Sequence, residues 1–219
     1  PDTLAPPPPD TLYAFPAPLS GITVDCDLSE WTGGWLSIAA PPDWVSTGGS
    51  AQNAQDLSAR FAARWNATDL YLAFEVTDDI HQNAKGADTE HLWQDDSVQI
   101  GLDMAQNGGS SYDNTDDFEY GWAITTAGAQ IRYRWYAPTG SPAMQNTFAV
   151  RRSDTTTSYE IKLPLSDIGL SSLTAGVRFS FSALVNENDG QGREGYIEWT
   201  SGIGQSKTPA NFGEIILQP

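Results

Sequence analysis

The residues best placed for chemistry lie in the stretch HLWQDDSVQIGLD, residues 91–103. From Ser97 to Asp103 apolar side chains alternate, so Val98, Ile100 and Leu102 face a core while Ser97, Gln99 and Gly101 face away. If the chain is already extended before Ser97, Trp93 and Asp95 fall in phase with that second face. A flat ring, a carboxylate and an amide then line one side of a sheet, as either a binding surface or a capped edge. Acidic clusters occur at Asp78-Asp79, Asp95-Asp96 and Asp113 to Asp117. Each reads as a solvated loop or, with backbone carbonyls, as oxygen ligands for a hard cation, although the spacing is not that of an EF-hand. Paired carboxylates can cleave glycosides, but with 28 acidic residues a suitable pair somewhere carries no weight. No nucleophile motif or Gly-rich phosphate loop accompanies them, so binding is expected and catalysis is not.

Composition narrows the partners. The 219 residues carry 11 basic and 28 acidic side chains, a formal charge of −17. Such a surface repels phosphate, which disfavours nucleic acid and anionic lipid. Acidic polysaccharides are disfavoured too, unless a local basic patch or calcium intervenes; neutral sugars and cations remain open. The single cysteine, Cys26, rules out an internal disulfide and a Cys-ligated zinc cluster. No stretch approaches the ~20 apolar residues of a membrane-spanning helix. The chain starts abruptly at Pro1, as an excised domain would, and its composition suits bacterial export, whether to the medium, the periplasm or the cell surface.

These residues must be positioned by strands. Residues 1–17 are Pro-rich and read as a tether, with Pro7–Pro9 in extended polyproline and the aromatic part, Leu12 to Phe15, lying on the domain that follows. From residue 18 to 219 a single domain is expected. Short alternating runs recur at 22–24, 59–65, 70–76, 97–102, 118–124, 131–135, 159–165, 179–185, 195–200 and 213–217, separated by turn residues that include much of the 20 Gly and 14 Pro. Ser166 reads as the cap of a short helical turn. The expectation is an all-β, single-domain, jelly-roll-type β-sandwich of two antiparallel sheets. Trp31, Trp65, Trp122 and Trp199 are expected in the core, and Trp93 either at a site or capping a rim.

The order of these segments resembles the family 9 carbohydrate-binding modules and their wider relatives. The resemblance covers nearly all of residues 21–217. It rests on Val24-Asp25-Cys26-Asp27-Leu28-Ser29-Glu30-Trp31, on Ala63-Arg64-Trp65-Asn66 with Leu70-Tyr71-Leu72, and on Glu75-Val76-Thr77-Asp78-Asp79. It continues through Trp93-Gln94-Asp95-Asp96-Ser97-Val98-Gln99-Ile100, Tyr112 to Tyr120, Tyr159 to Leu165, Val185-Asn186-Glu187, Glu198-Trp199 and Asn211-Phe212-Gly213. It implies a jelly-roll sandwich, structural calcium and a sugar clamped between two Trp rings. Trp93 matches the first clamp residue, and Gln99 stands where the family has a hydrogen-bonding Glu. Gly121 stands at an Arg position and Ser206 at that of the second clamp Trp, so a two-Trp clamp is not expected. By parity, Arg132 and Arg134, opposite the aromatic face of 131–135, could reach the space left by Gly121, Tyr136 could add a ring, and Asn186 could donate to a hydroxyl. For calcium, the first choices are Asp78 and the loop carboxylates Asp113, Asp116 and Asp117.

The sequence thus points to a monomeric, secreted module that binds polysaccharide or oligosaccharide through Trp93, Gln99, Asn186, Arg132 and Arg134, linked to a catalytic domain that it targets to plant-type polysaccharide. Two other readings stand beside it. One is a haem-binding electron-transfer domain, with ligands among Met104, Met144, His81 and His91. The other is a structural or adhesion domain without a small ligand.

Overall fold

The structure is a computed structural model that describes residues 10–51 and 53–219. Among the described residues thirteen strands make up the sheet. They are β1 (Thr11–Pro16), β2 (Leu36–Ala39), β3 (Trp44–Ser46), β4 (Leu57–Trp65), β5 (Asp69–Asp78), β6 (Ser97–Asp103) and β7 (Asp117–Ile124). They continue with β8 (Gln130–Tyr136), β9 (Thr147–Ser153), β10 (Thr156–Pro164), β11 (Arg178–Glu187), β12 (Gly195–Glu198) and β13 (Gly213–Leu217). Among the described residues helical structure is confined to short 3-10 segments such as Thr89–Gln94, which is kinked at His91, and no described helix is long and apolar enough to cross a membrane.

The all-β, single-domain expectation is met, and the two groups of mainly antiparallel strands, one around β6, β7 and β11 and the other around β4, β5 and β10, are joined through β1. One continuous hydrogen-bonded path runs β8-β7-β6-β11-β13-β1-β4-β5-β10-β9. β1 is the join. Thr11 to Ala14 pair parallel with β13, and Phe15 and Pro16 pair parallel with β4. β2 takes the other half of the β4 edge, and β12 links β11 to β3. The free ends of the path approach each other. Val150 N of β9 donates to Gln130 Oε1 of β8 at 3.1 Å, and Arg132 of β8 donates to Asn146 just ahead of β9. The sheet is therefore nearly closed around its core.

That core is built from the inward residues of facing strands. Phe61 of β4 lies 5.6 Å from Trp199 and 6.2 Å from Phe181 of β11. Along β7, Phe118, Tyr120 and Trp122 form a stacked ladder. Trp31 and Trp122 are buried as expected, while Trp65 and Trp199 pack at the core margin.

Three local expectations need correction. Ile22 to Val24 is irregular, not a strand. Ser166 lies inside the turn Leu165–Asp167, whose cap is Pro164, and does not cap it. Residues 11–16, read as part of the tether, form β1, with Leu12 and Ala14 fully buried. Proline hides this strand because Pro16 sits at its end, where its missing N–H costs no ladder bond. The polyproline reading of Pro7–Pro9 lies outside the described residues.

If β1 is integral, Leu12→Ala should cost about 2–5 kcal/mol of unfolding free energy, the usual toll of a cavity in a packed core. Urea denaturation measures it, and a loss near zero would return the segment to the tether.

Candidate ligand-binding site

The outer face of β7, β6 and β11 carries a pocket of about 220 Å³ lined by Trp93, Gln99, Glu119, Trp135, Arg193, Gly204 and Lys207. Gln99 of β6 and Glu119 of β7 line it from the sheet, with Asn186 of β11 buried beside Gln99. Trp93 comes from the turn before β6, Arg193 from the β11–β12 loop, and Gly204 and Lys207 from the loop after β12. That last loop explains why the outward residues of β6 are buried. Phe212 lies so close over Gly101 that a Cβ there would fall 2.4 Å from its ring.

Trp93 is held by the acids beside it. Asp95 accepts from Ala84 N at 2.9 Å and from Asn188 Nδ2 at 2.7 Å. Asp96 accepts from Gln82 N at 2.5 Å and from Asn188 N at 2.8 Å. These bonds tie the turn carrying Trp93 to the β11–β12 loop carrying Arg193, so Asp95 and Asp96 fix the wall of the pocket without lining it.

A second indole, Trp135, completes the wall. The sequence reading set the aromatic face of β8 toward the core and Arg132 and Arg134 toward the ligand; the structure inverts this. Cross-strand partners share a face, and Ile131 and Tyr133 pair with Ala123 and Gly121, the outward residues of β7. Arg132 therefore points away from the pocket, donating to Asn146 with Phe148 beneath its guanidinium, and Arg134 stands opposite Tyr120 on the inner side. Between Arg134 and Tyr136 the register slips. Tyr120 faces Arg134 while Glu119 faces Tyr136, leaving Trp135 as the extra residue of a β-bulge. Its ring lies across Gly121, where a Cβ would meet Trp135 Cη2 at 2.5 Å, and its Nε1 donates to Glu90 O at 2.8 Å. Gly121 thus opens space for an indole, not for an arginine. Tyr136 packs at a tilt against Tyr112, ring centroids 4.9 Å apart, outside the pocket lining.

A polar chain runs along the floor. Arg193 Nε donates to Asn186 Oδ1 at 2.9 Å, and Asn186 Nδ2 donates to Gln99 Oε1 and Ser97 Oγ, each at 3.0 Å. Gln99 Nε2 donates to Glu119 Oε1 at 3.3 Å, and Lys207 Nζ donates to the same oxygen at 2.5 Å. Asn186 is thus a buried support that orients Gln99 and Arg193 and does not line the pocket. Burial raises Glu119 above the ordinary carboxylate range, against the pull of the Lys207 ammonium. Burial likewise raises Glu198, behind the Gly204 loop, to about 7, while the N–H groups of Ile203 and Gly204 act against it.

Carboxylates gather at two oxygen-rich places. Asp56, Glu187 and Asp189 form one group, which Asp78 and Asp79 extend through Asp189; Asp103, Asp116 and Asp117 form the other. Glu187 is 2% exposed, and among the described residues neither of its oxygens has a hydrogen-bond donor. Buried Asp117 Oδ1 lacks one too. Leaving such charge uncompensated is costly, so both places fit a hard cation. Of the loop choices, Asp78, Asp116 and Asp117 fall in these groups. Asp113 does not; its carboxylate accepts from Thr115 N at 2.8 Å and from Asn107 Nδ2 at 3.1 Å. A further group, Asp78, His81 and Asp96, is partly balanced by Arg152 on Asp78 at 2.8 Å. His81 meets Ile124 O at 3.0 Å and His91 meets Asp88 at 2.8 Å, so each imidazole already has a partner that a haem ligand would have to give up.

Gly121→Ala should push the Trp135 ring out of the wall. The expected outcome is a shift in tryptophan emission and loss of ligand retention, with the fold kept.

Two solved structures share this architecture. A family 9 carbohydrate-binding module from Caldicellulosiruptor kristjanssonii in complex with cellotriose superposes with a TM-score of 0.70 at 21% identity, covering 95% of this chain and 93% of that one. The same organism's module in complex with glucose gives 0.69 at 21% identity, with 95% of each chain covered. A comparison with curated protein sequences finds no match. The family model described as carbohydrate family 9 binding domain-like matches residues 34–219. With most of the chain matched, and with the fold and pocket described above, this protein belongs to the carbohydrate family 9 binding domain-like family.

Proposed function

We propose that the pocket binds a sugar unit of a plant-type polysaccharide or oligosaccharide, and that the domain serves without catalysis to hold a linked enzyme on that polymer outside the cell. The observation that carries this reading is the pair of indoles, Trp93 and Trp135, lining one pocket with Gln99, Glu119, Arg193 and Lys207. A pyranose presents C–H faces that pack on aromatic rings and hydroxyls that need donors and acceptors; this lining supplies both. The volume falls below the roughly 300–1,000 Å³ of drug-sized sites, which suits a single ring with the rest of the chain outside. That related modules are seen with cellotriose and glucose supports a β-glucan or a similar glycan as the first candidate. Targeting would work by raising the local concentration of the attached enzyme.

Trp93→Ala and Trp135→Ala should each weaken glycan retention at least tenfold, about 1.4 kcal/mol, in affinity electrophoresis against xylans, glucans, mannans and pectins. Retention unchanged in both variants would remove the site.

Calcium is proposed at the carboxylate groups, with Asp78, Asp79, Asp56, Glu187 and Asp189 holding one region and Asp103, Asp116 and Asp117 the other. Oxygen-only donor sets suit this ion, and its charge would let the buried acids stay ionised. Glu187 lies next in the chain to Asn186, so an ion there would steady the floor of the pocket. Without a cation, burial and then the carboxylates of Asp96, Asp78 and Asp189 raise Glu187 to about 11. A carboxyl raised in the folded state favours folding below its unfolded pKa of about 4.3, and that advantage is lost as pH climbs toward the folded value. In chelator, therefore, the melting temperature should fall between about pH 5 and about pH 8. Calcium at one hundred times its dissociation constant should raise it by roughly 5–10 °C and flatten the decline. A melting curve indifferent to both chelator and calcium would argue against an ion.

A further inference from the structure

Arg193 is the unusual member of the pocket. In a chain with 28 acidic residues, Arg60, Arg152 and Arg178 each sit on a carboxylate at 2.8–2.9 Å, while Arg132 and Arg151 spend terminal nitrogens on the backbone carbonyls of Asn146 and Cys26. Arg193 does neither. The only hydrogen bond of its guanidinium among the described residues runs from Nε to the neutral amide of Asn186 at 2.9 Å, which leaves both terminal nitrogens without a protein partner. The guanidinium is nevertheless held in place. It lies 5.3 Å from the Trp93 ring centroid and 4.6 Å from that of Tyr196. Two aromatic faces and one amide thus hold a planar cation at the edge of the pocket.

The nearby acids are already engaged. Glu119 accepts from Lys207 and Gln99, and Glu198 accepts from Ile203 N and Gly204 N. Burial works against the charge on Arg193 and lowers its pKa; an anion in the pocket would reverse that loss. The overall charge of −17 opposes anions at long range, but exposed charges are screened beyond about 8 Å at physiological salt, and inside the pocket the close pairs decide.

Resting on the sugar-binding reading above, we propose that the preferred ligand is a glycan carrying a carboxylate, a uronic acid unit, which Arg193 takes in a two-pronged hydrogen bond while Trp93 packs on the ring. A guanidinium fork matches a carboxylate in shape and charge, and such bonds are roughly twice as strong as neutral ones.

The test is calorimetric titration with a xylotriose bearing one glucuronic acid, with digalacturonic acid, and with the carboxyl-reduced form of each, using cellotriose as the neutral control. The expected result is that at least one acid binds tenfold or more tightly than its reduced counterpart. That advantage should shrink with added salt and vanish in Arg193→Gln. Equal binding of acid and reduced forms, or binding of cellotriose alone, overturns the uronate proposal and leaves the sugar pocket standing. No binding by any of these compounds overturns both. The acid-to-alcohol comparison is made on the unmodified protein, so it does not depend on the variant folding.

Discussion

Unpaired strand edges are the constraint on which this structure turns. A path of ten strands has two long edges, and each edge is a row of unsatisfied backbone groups. The protein deals with them by curling. β1 hands its hydrogen bonds from β13 to β4, so the two faces of the core are one sheet, and the remaining gap between β8 and β9 is crossed by side chains of Gln130 and Arg132. Arg132 is consumed by this seam. The same closure that makes the fold thus removes one of the cations that the sequence offers for ligand binding.

Much of the frame was legible because strand alternation is a local signal. β4 to β8, β10, β11 and β13 all lie where apolar residues alternate. β9 escaped because Arg151 and Arg152 interrupt its alternation, and β1 because proline dominates its neighbourhood. The site was legible only in part. Trp93 and Gln99 sit in a contiguous motif, and the structure brings them into one pocket. Trp135 looked like core because periodicity separates the two faces of a strand but does not say which face is inside. That is settled by pairing with β7, a long-range fact. Arg193, Gly204 and Lys207 come from loops without periodicity, and nothing in their local sequence joins them to Trp93.

Burial of polar groups gives the site its stiffness. Asn186, Gln99 and Glu119 are all nearly inaccessible, yet each is joined to the next, ending in a cation at either side. A chain of this kind is favourable only when complete, because each missing partner leaves a buried group unsatisfied. The lining is therefore set before any ligand arrives, and little ordering remains to be supplied on binding.

The bulge at Trp135 gives the pocket an unusual genetic switch. The second indole shares the outward face of Ile131 and Tyr133, and it sits at the step where β8 contains one residue more than its partner strand, so Tyr136 rather than Trp135 stands opposite Glu119. Loss of that single codon would restore an even ladder, with Tyr136 still opposite Glu119, and would take the indole out of the wall. Among chains of this architecture, the number of rings around the ligand can thus change by insertion or deletion in an edge strand, with no exchange of one amino acid for another. Comparisons that score only substitutions at aligned columns would miss it.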